Sequence, residues 1–432
     1  MIKKNIYKIK DKILKSEFNR NVLILMTGTT IAQATPIMIT PILTRLYTPE
    51  DFGFFAIYQA ITVIFTVIVN GRYEIAIVSS QKDEDAINLF VLGFIISSII
   101  SLILLFLVLF FNDFFINFFE NKELGIWLYL IPISIFLSGL WNLLNYFNIR
   151  KKNYKDLSKT KILASIILSI TQISIGIIKS GAAGLIVGKI IYQLFANIKL
   201  ILNLIKNKIF LSMISKKKII SVAKKYQNFP KHNAPGALSD TAASQLPMIF
   251  LPKLYGIDMS GYFFLANNLI VIPSSLLGKS ISEVFFQQMS VKKNNRSKCW
   301  PFFIKTVKNL FYIALPFSIM IILFGPSLFL LVFGEQWKVS GEIAPYLAIK
   351  FLFIFCTSPV SSVFSISGYI QRGAFWKYLY FIVNLFLFIF TAFAGLKFFQ
   401  FLILFIIFEI ALYVLYFYLI AKTVKQMDGK II

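Results

Sequence analysis

TGTTIAQATPIMITPILTRLYTPEDFGFFAIYQAITVIFTVIVNGRYEIAIV, residues 27–78, reads as two apolar helices joined by a tight turn, Leu46-Tyr47-Thr48-Pro49-Glu50-Asp51-Phe52-Gly53. A helix needs roughly 20 apolar residues to cross a bilayer, and both arms reach that length. Pro49 and Gly53 punctuate the turn, and Glu50 and Asp51 suit the positive end of the second helix. The first arm carries Gly28, Thr30, Gln33, Thr35, Pro36, Thr40 and Pro41. A helix that only anchors needs neither prolines nor a polar face. A helix that bends beside a watery cavity uses both.

The rest of the chain has the same character. Of 432 residues, 57% are hydrophobic and only 15% charged, yet the formal net charge is +25. The mean hydropathy of +0.75 excludes a soluble globular domain. A basic chain of this size suits either nucleic acid or a membrane. The lysines cluster between apolar runs rather than on a soluble module, which selects the membrane and leaves nucleic acid out. Cys299 and Cys356 form neither a disulfide framework nor a metal motif. No cleavage-site pattern follows the first apolar run, and Met1–Arg20 reads as a basic amphipathic leader.

The expected fold is an all-α integral membrane protein of about twelve transmembrane helices. The spans fall near 22–47, 52–78, 87–111, 124–148, 161–178, 182–205, 230–253, 258–286, 306–333, 343–366, 377–396 and 398–421. Lysine and arginine concentrate in the leader, in the 148–161, 206–231 and 287–305 links, and in the tail, so both termini are expected in the cytoplasm. The 79–86 link fits this topology least well, because Lys82 stands beside Asp83, Glu84 and Asp85.

The chain also echoes itself. Leu46-Tyr47-Thr48-Pro49-Glu50-Asp51-Phe52-Gly53-Phe54-Phe55 returns as Leu254-Tyr255-Gly256-Ile257-Asp258-Met259-Ser260-Gly261-Tyr262-Phe263, 208 residues later. Arg150-Lys151-Lys152-Asn153-Tyr154-Lys155 returns more loosely as Arg372-Gly373-Ala374-Phe375-Trp376-Lys377. Two six-helix halves of the same hand follow. The first is residues 1–206, the leader plus helices one to six. The second is 207–432, the basic linker plus helices seven to twelve.

The stretch AQATPIMITPILTRLYTPEDFGFFAIYQ followed by GRYEIAIV resembles the opening of the polysaccharide flippases that move O-antigen or capsule repeat units. The seventh and eighth spans, and LFGPSLFLLVFGEQWKVSGEIAPYLA at 323–348, resemble the second half of that family. The family belongs to the multidrug/oligosaccharidyl-lipid/polysaccharide exporter superfamily. The resemblance implies two lobes around a central cavity, alternating access, and the bacterial cytoplasmic (inner) membrane. The cargo it implies is an undecaprenyl-diphosphate-linked oligosaccharide carried from the cytoplasmic to the outer leaflet. Membrane lipids, a polysaccharide polymerase and other assembly proteins are the implied partners. No cofactor is expected beyond a coupling proton or sodium ion.

Charges inside the spans are the candidate site residues, because each costs about 2.5–3.5 kcal/mol at a helix centre on insertion scales. Lys189, Lys350, Lys279, Arg45 and Arg72 are candidates for a cationic, substrate-binding passage. Lys189 has Gln193 one turn on. Lys279 has Glu283 at the same spacing, and an internal ion pair explains these two slightly better, since a paired lysine has less charge to offer a phosphate. Arg45 also suits interfacial anchoring. Arg72 and Glu74, two residues apart, are expected on different faces with different partners. Asp240, Glu409 and Glu74 are candidates for the coupling ion, with neutralisation by a nearby lysine as the alternative. Pro36 and Pro41 in the first span, and Pro230, Pro235 and Pro247 in the seventh, mark matching helices that bend. Asn142, Asn145 and Asn148 with Trp141 and Tyr146 suit either sugar contacts or a helix–helix seam.

Two other classes fit the composition less well. A multidrug exporter of the same superfamily would share the fold, but the embedded charges lean basic and favour an anionic cargo. A membrane polymerase or glycosyltransferase would need a catalytic constellation. The short outer links carry none, and there is no phosphate-cradling glycine loop or metal spacing, so an enzyme is not expected.

Overall fold

Thr48-Pro49-Glu50-Asp51 forms a reciprocal cap. Asp51 Oδ2 accepts from the backbone and hydroxyl of Thr48, both at 2.9 Å, and Asp51 N donates to Thr48 Oγ1 at 3.2 Å. Proline opens the new helix where its missing N–H costs nothing. In a computed structural model that describes residues 17–178, 181–205 and 212–429, this cap separates α1 (Glu17–Leu46) from α2 (Pro49–Thr66). Most of the amphipathic leader, residues 1–16, lies outside the described residues, as do 206–211 of the linker.

The described residues are almost wholly helical. After α2 come α3 (Tyr73–Ser79), α4 (Asp83–Phe119), α5 (Lys122–Leu128), α6 (Ile131–Arg150), α7 (Tyr154–Ile178) and α8 (Ala183–Ile205). The linker forms α9 (Lys216–Lys225), followed by a π-helical turn, Phe229–Asn233. The later helices are α10 (Ala234–Tyr255), α11 (Ile257–Asn294), α12 (Trp300–Phe333), α13 (Lys338–Thr357), α14 (Val363–Ser367), α15 (Ile370–Ala394) and α16 (Phe398–Gly429).

Among the described residues, eight helical segments are long and apolar enough to cross a membrane: α4, α5 with α6, α7, α8, α12, α13 with α14, α15 and α16. The other four expected spans fall on α1, on α2 with α3, on α10 and on α11. These are the first and second helices of each sequence half, and they carry many of the serines, threonines and internal prolines.

The helices group into two compact units. One runs up to Leu46 and resumes over Ile61–Leu238; the other is Tyr47–Ala60 with Ser239 onward. This division departs from the boundary expected at 206/207 in two places. The linker helix α9 goes with the first unit, because Val222 is buried in a core of Tyr73, Ile77, Phe90, Leu143 and Phe147. The opening of α2 goes with the second unit, because its glycine lies against the backbone of α11. A Cβ on Gly53 would stand 2.2 Å from Ile257 O, and one on Gly261 would stand 1.8 Å from Pro49 O. The offset of 208 that relates Leu46 to Leu254 also carries Gly53 to Gly261 and Pro49 to Ile257. The echoed stretches therefore pack on each other reciprocally. Phe52 and Phe55 seal the contact against Phe264, and Phe52 meets Trp337 edge-on at 4.8 Å.

The expected 52–78 span is broken by two left-handed residues. The 52–78 helix stops at Thr66, because Gly71 (φ 60°) and Arg72 (φ 61°) are both left-handed and the chain must restart at Tyr73. The first-unit helices pack closely where side chains are small, as at Gly28 of α1 against Ser158 of α7.

Candidate functional site

In the first unit, the left-handed Arg72 corrects a sequence expectation. It turns back on α3, and its Nη1 lies 3.8 Å from Glu74 Oε1, so residues expected to face apart form one pair. Glu74 is 2% exposed. Arg72 Nε and Glu74 Oε2 are buried without a hydrogen-bond partner. Beside them Asn70 Nδ2 donates to Gly93 O at 3.3 Å, and Asn142 Nδ2 reaches Asn70 Oδ1 at 3.5 Å. Asn148 donates to Leu144 O within its own helix. The asparagines of α6 thus serve in part as a packing seam, and Asn145 Oδ1 is left unpaired.

Lys189 sits on α8 with its ammonium 5.1 Å from the ring centre of Tyr192. Among the described residues no carboxylate lies within ion-pair distance of it. Gln193, one turn on, points elsewhere and donates to Ser138 Oγ at 2.7 Å. Arg45 is exposed, and its Nη1 donates to Pro41 O at 2.7 Å.

The second unit holds a buried ion pair. Lys350 Nζ of α13 lies 2.8 Å from Glu409 Oε2 of α16, with the lysine side chain 13% and the glutamate 0% exposed. The ammonium also stands 4.7 Å from the centre of the Phe405 ring. Tyr380 OH donates to the same carboxylate oxygen at 3.1 Å, while Glu409 Oε1 has no partner. Sequence reasoning placed Lys350 and Glu409 in different roles; the fold brings them together. Trp376 stacks on Tyr380 at 4.9 Å and on Tyr416 at 3.9 Å, and Tyr413 meets Tyr380 edge-on at 6.0 Å. Asp240 pairs with Lys377 at 3.0 Å, both partly exposed. The side chain of Lys279 lies outside the described residues, and Glu283 is exposed.

The prolines behave differently from one another. Pro36, Pro41 and Pro247 lie inside continuous helices. Thr40 Oγ1 bonds back to Pro36 O at 2.9 Å, a contact that favours bending. Pro235 is no interior breaker, since it stands in the first turn of α10. The π turn ends just before it, where Ala234 N reaches back five residues to Phe229 O.

Sequence reasoning missed a second ionic cluster. Asp83 accepts from Arg150 Nε at 3.1 Å and from Lys151 at 2.7 Å. Glu84 meets Lys218 at 3.1 Å, and Asp85 meets Lys225 at 2.6 Å. Asn88 adds bonds to Met213 O and Ser215 N at 3.0 and 3.1 Å. Asp85 holds the Lys225 ammonium above the ordinary lysine range. The acidic run that fitted the topology poorly is thus the dock for the basic linker. The crowding of Asp83, Glu84 and Asp85 beside a lysine-rich linker was the available signal.

The comparisons agree with this architecture. The chain aligns with the lipid II flippase MurJ in an inward closed conformation at a TM-score of 0.69 and 16% identity, covering 95% of this chain and 90% of that one. An outward-facing multidrug resistance MATE family transporter of the MOP superfamily aligns at 0.64 and 13% identity, covering 96% and 98%. At these identities the likeness shows a shared fold. The teichuronic acid biosynthesis protein TuaB of Bacillus subtilis (strain 168) is 22% identical over 153 residues, 35% of this chain and 32% of that protein. The match thus spans about a third of that relative's length. A family profile described as "Polysaccharide biosynthesis protein" matches residues 42–342, well over half the chain. This all-α, multi-pass membrane protein belongs to the polysaccharide biosynthesis protein family.

Proposed function

We propose that the chain is a flippase that carries undecaprenyl-diphosphate-linked oligosaccharide repeat units from the cytoplasmic to the outer leaflet, for O-antigen, capsule or a related polymer. The observation that carries the reading is Lys189, a half-buried cation on an apolar helix with, among the described residues, no carboxylate in reach and a tyrosine ring beside it. A charge left uncompensated there is costly unless an anion comes to it. A diphosphate with sugars attached offers both an anion and faces that suit an aromatic ring. The family and the transporter fold support the same reading.

Alternating access, with both termini in the cytoplasm of the inner membrane, completes it. Arg72, with its unpaired Nε, and Arg45 and Lys279 are further candidate contacts. Lys350 is better assigned to Glu409 than to substrate, because its charge is already matched at 2.8 Å. Glu74, Glu409 and Asp240 are the coupling candidates. A proton or a sodium ion is the coupling cation, and each carboxylate faces an arginine or lysine with which that cation would compete. A polymerase and other assembly proteins are proposed as partners. A multidrug exporter fits less well, because an unmatched lysine disfavours cationic drugs.

The test is complementation of a strain lacking its own repeat-unit flippase, followed by reconstituted transport of labelled undecaprenyl-diphosphate sugars. Surface polymer restored by the wild type and lost with Lys189→Ala at equal expression supports the reading. Transport of the labelled lipid unaffected by Lys189→Ala removes the lysine from the passage, and absence of transport by the wild type refutes the function.

A further inference from the structure

On the second unit, α12, α13 and α16 line a half-open groove of about 460 Å³. Its walls are apolar, with Phe311 of α12, Leu352 and Phe353 of α13, and Val414 and Phe417 of α16. Tyr312 at the rim is 68% exposed. The groove is built rather than incidental. Asp428 near the end of α16 accepts from Cys299 N at 2.7 Å and Trp300 N at 2.9 Å, which ties α16 to the start of α12. One end of the groove carries Lys308, one turn before Phe311 and Tyr312 on the same helical face. Among the described residues no carboxylate lies within ion-pair distance of Lys308.

An apolar cavity of this size does not retain water well, and hydrocarbon is its natural filling in a bilayer. The volume falls within the range that holds a single elongated ligand. The cation at one end asks for an anionic head. Lys308 stands eight residues into α12, about 12 Å from its start, where a lysine reaches the headgroup layer by extending its stem. Basic pockets between membrane helices bind acidic lipid headgroups by this combination. We infer that the groove holds one acyl chain of an anionic glycerophospholipid, with the lipid phosphate against Lys308. Tyr413 contributes to the lining and meets Tyr380, which holds Glu409. The bound chain therefore packs on the outside of the aromatic cluster that supports the buried ion pair. The inference does not depend on the flippase reading.

Cys356 lines the groove, whereas Cys299 is fully buried, so the chain carries its own reporter. Full-length protein, delipidated in detergent, is titrated with phosphatidylglycerol or phosphatidylcholine. Binding is read by native mass spectrometry, and alkylation of Cys356 by N-ethylmaleimide is read by peptide mass spectrometry. The first phosphatidylglycerol is expected to bind about fivefold more tightly than phosphatidylcholine, whose choline cancels the phosphate charge, the worth of one lysine beside a net anionic headgroup at a membrane surface. Its binding slows Cys356 alkylation. Lys308→Gln removes the preference, and Val414→Trp, which fills the groove from α16, removes the protected lipid altogether. Equal binding of the two lipids to the wild type overturns the inference. So does an unchanged preference in Lys308→Gln, or bound phosphatidylglycerol that leaves Cys356 alkylation unaltered.

Discussion

Alanine at Gly261 should pull the opening of α2 away from α11. A Cβ there would stand 1.8 Å from Pro49 O and 3.0 Å from Gly53 N, where ordinary contact begins at 3.4 Å. The backbones must part by about 1.6 Å at that point, and the obstacle is main chain, which cannot rotate aside. At Gly53 the nearest atom is again a carbonyl oxygen, at 2.2 Å, so the parting there is about 1.2 Å. Overpacking of this kind costs about 1–3 kcal/mol, a shift of about fivefold to 160-fold against the packed arrangement. Ala56 is fully buried in the same stretch of α2 and serves as the probe. In an Ala56→Cys, Cys356→Ala background, maleimide labelling in membranes is expected to be slow with glycine at 261 and to accelerate within that range with alanine. Gly53→Ala should act in the same direction by less. The double variant should fall short of the sum, since both touch one contact. A labelling rate and melting temperature unmoved by Gly261→Ala would refute the close approach and, with it, the pairing of the echoed stretches.

Other consequences are as direct. Lys350→Met leaves Glu409 charged and buried, so the melting temperature of the purified protein should fall by the equivalent of about 3–5 kcal/mol, and adding Glu409→Gln should recover most of it. Lys189→Ala orphans no carboxylate, so its melting temperature should stay near that of the wild type while complementation fails, and Lys189→Arg should retain part of the activity. Replacing Asp83, Glu84 and Asp85 together by Asn, Gln and Asn should free α9. Trypsin should then cut within 216–225 several-fold faster, because solvent-screened pairs each hold the helix only weakly. Raising the salt concentration should speed cleavage of the wild type and leave the triple variant little changed.

Much of the architecture was readable from the chain. The membrane class follows from apolar runs separated by lysines. The turn at Thr48-Pro49-Glu50-Asp51 caps its helix as its residues suggest. Gly53 was read as punctuation, yet it lies inside α2, and only the opposing backbone of α11 explains it. Hydropathy reports how deep a residue lies, not the direction it faces around its helix. That is why Lys350 and Glu409 were found as deep charges but not as one another's partner. Arg72 and Glu74 were assigned to opposite faces on the premise of a regular helix, which two left-handed residues remove. The Trp376, Tyr380, Tyr413 and Tyr416 cluster went unnoticed because aromatic residues are common throughout the chain, and only the packing of α15 on α16 distinguishes these four.

The reciprocal contact of Gly53 with Ile257 and Gly261 with Pro49 has the form of a homodimer interface, written twice within one polypeptide. In a true homodimer each substitution strikes both sides of the twofold axis at once. Fused in a single chain, the two sides are separate sites and can differ, as Thr48-Pro49-Glu50-Asp51 differs from Gly256-Ile257-Asp258-Met259. One side is capped by side chains and the other begins at a glycine with φ 93°. The correspondence is kept at the backbone of Gly53 and Gly261 and given up at the helix starts, where side chains cap one helix and a glycine opens the other.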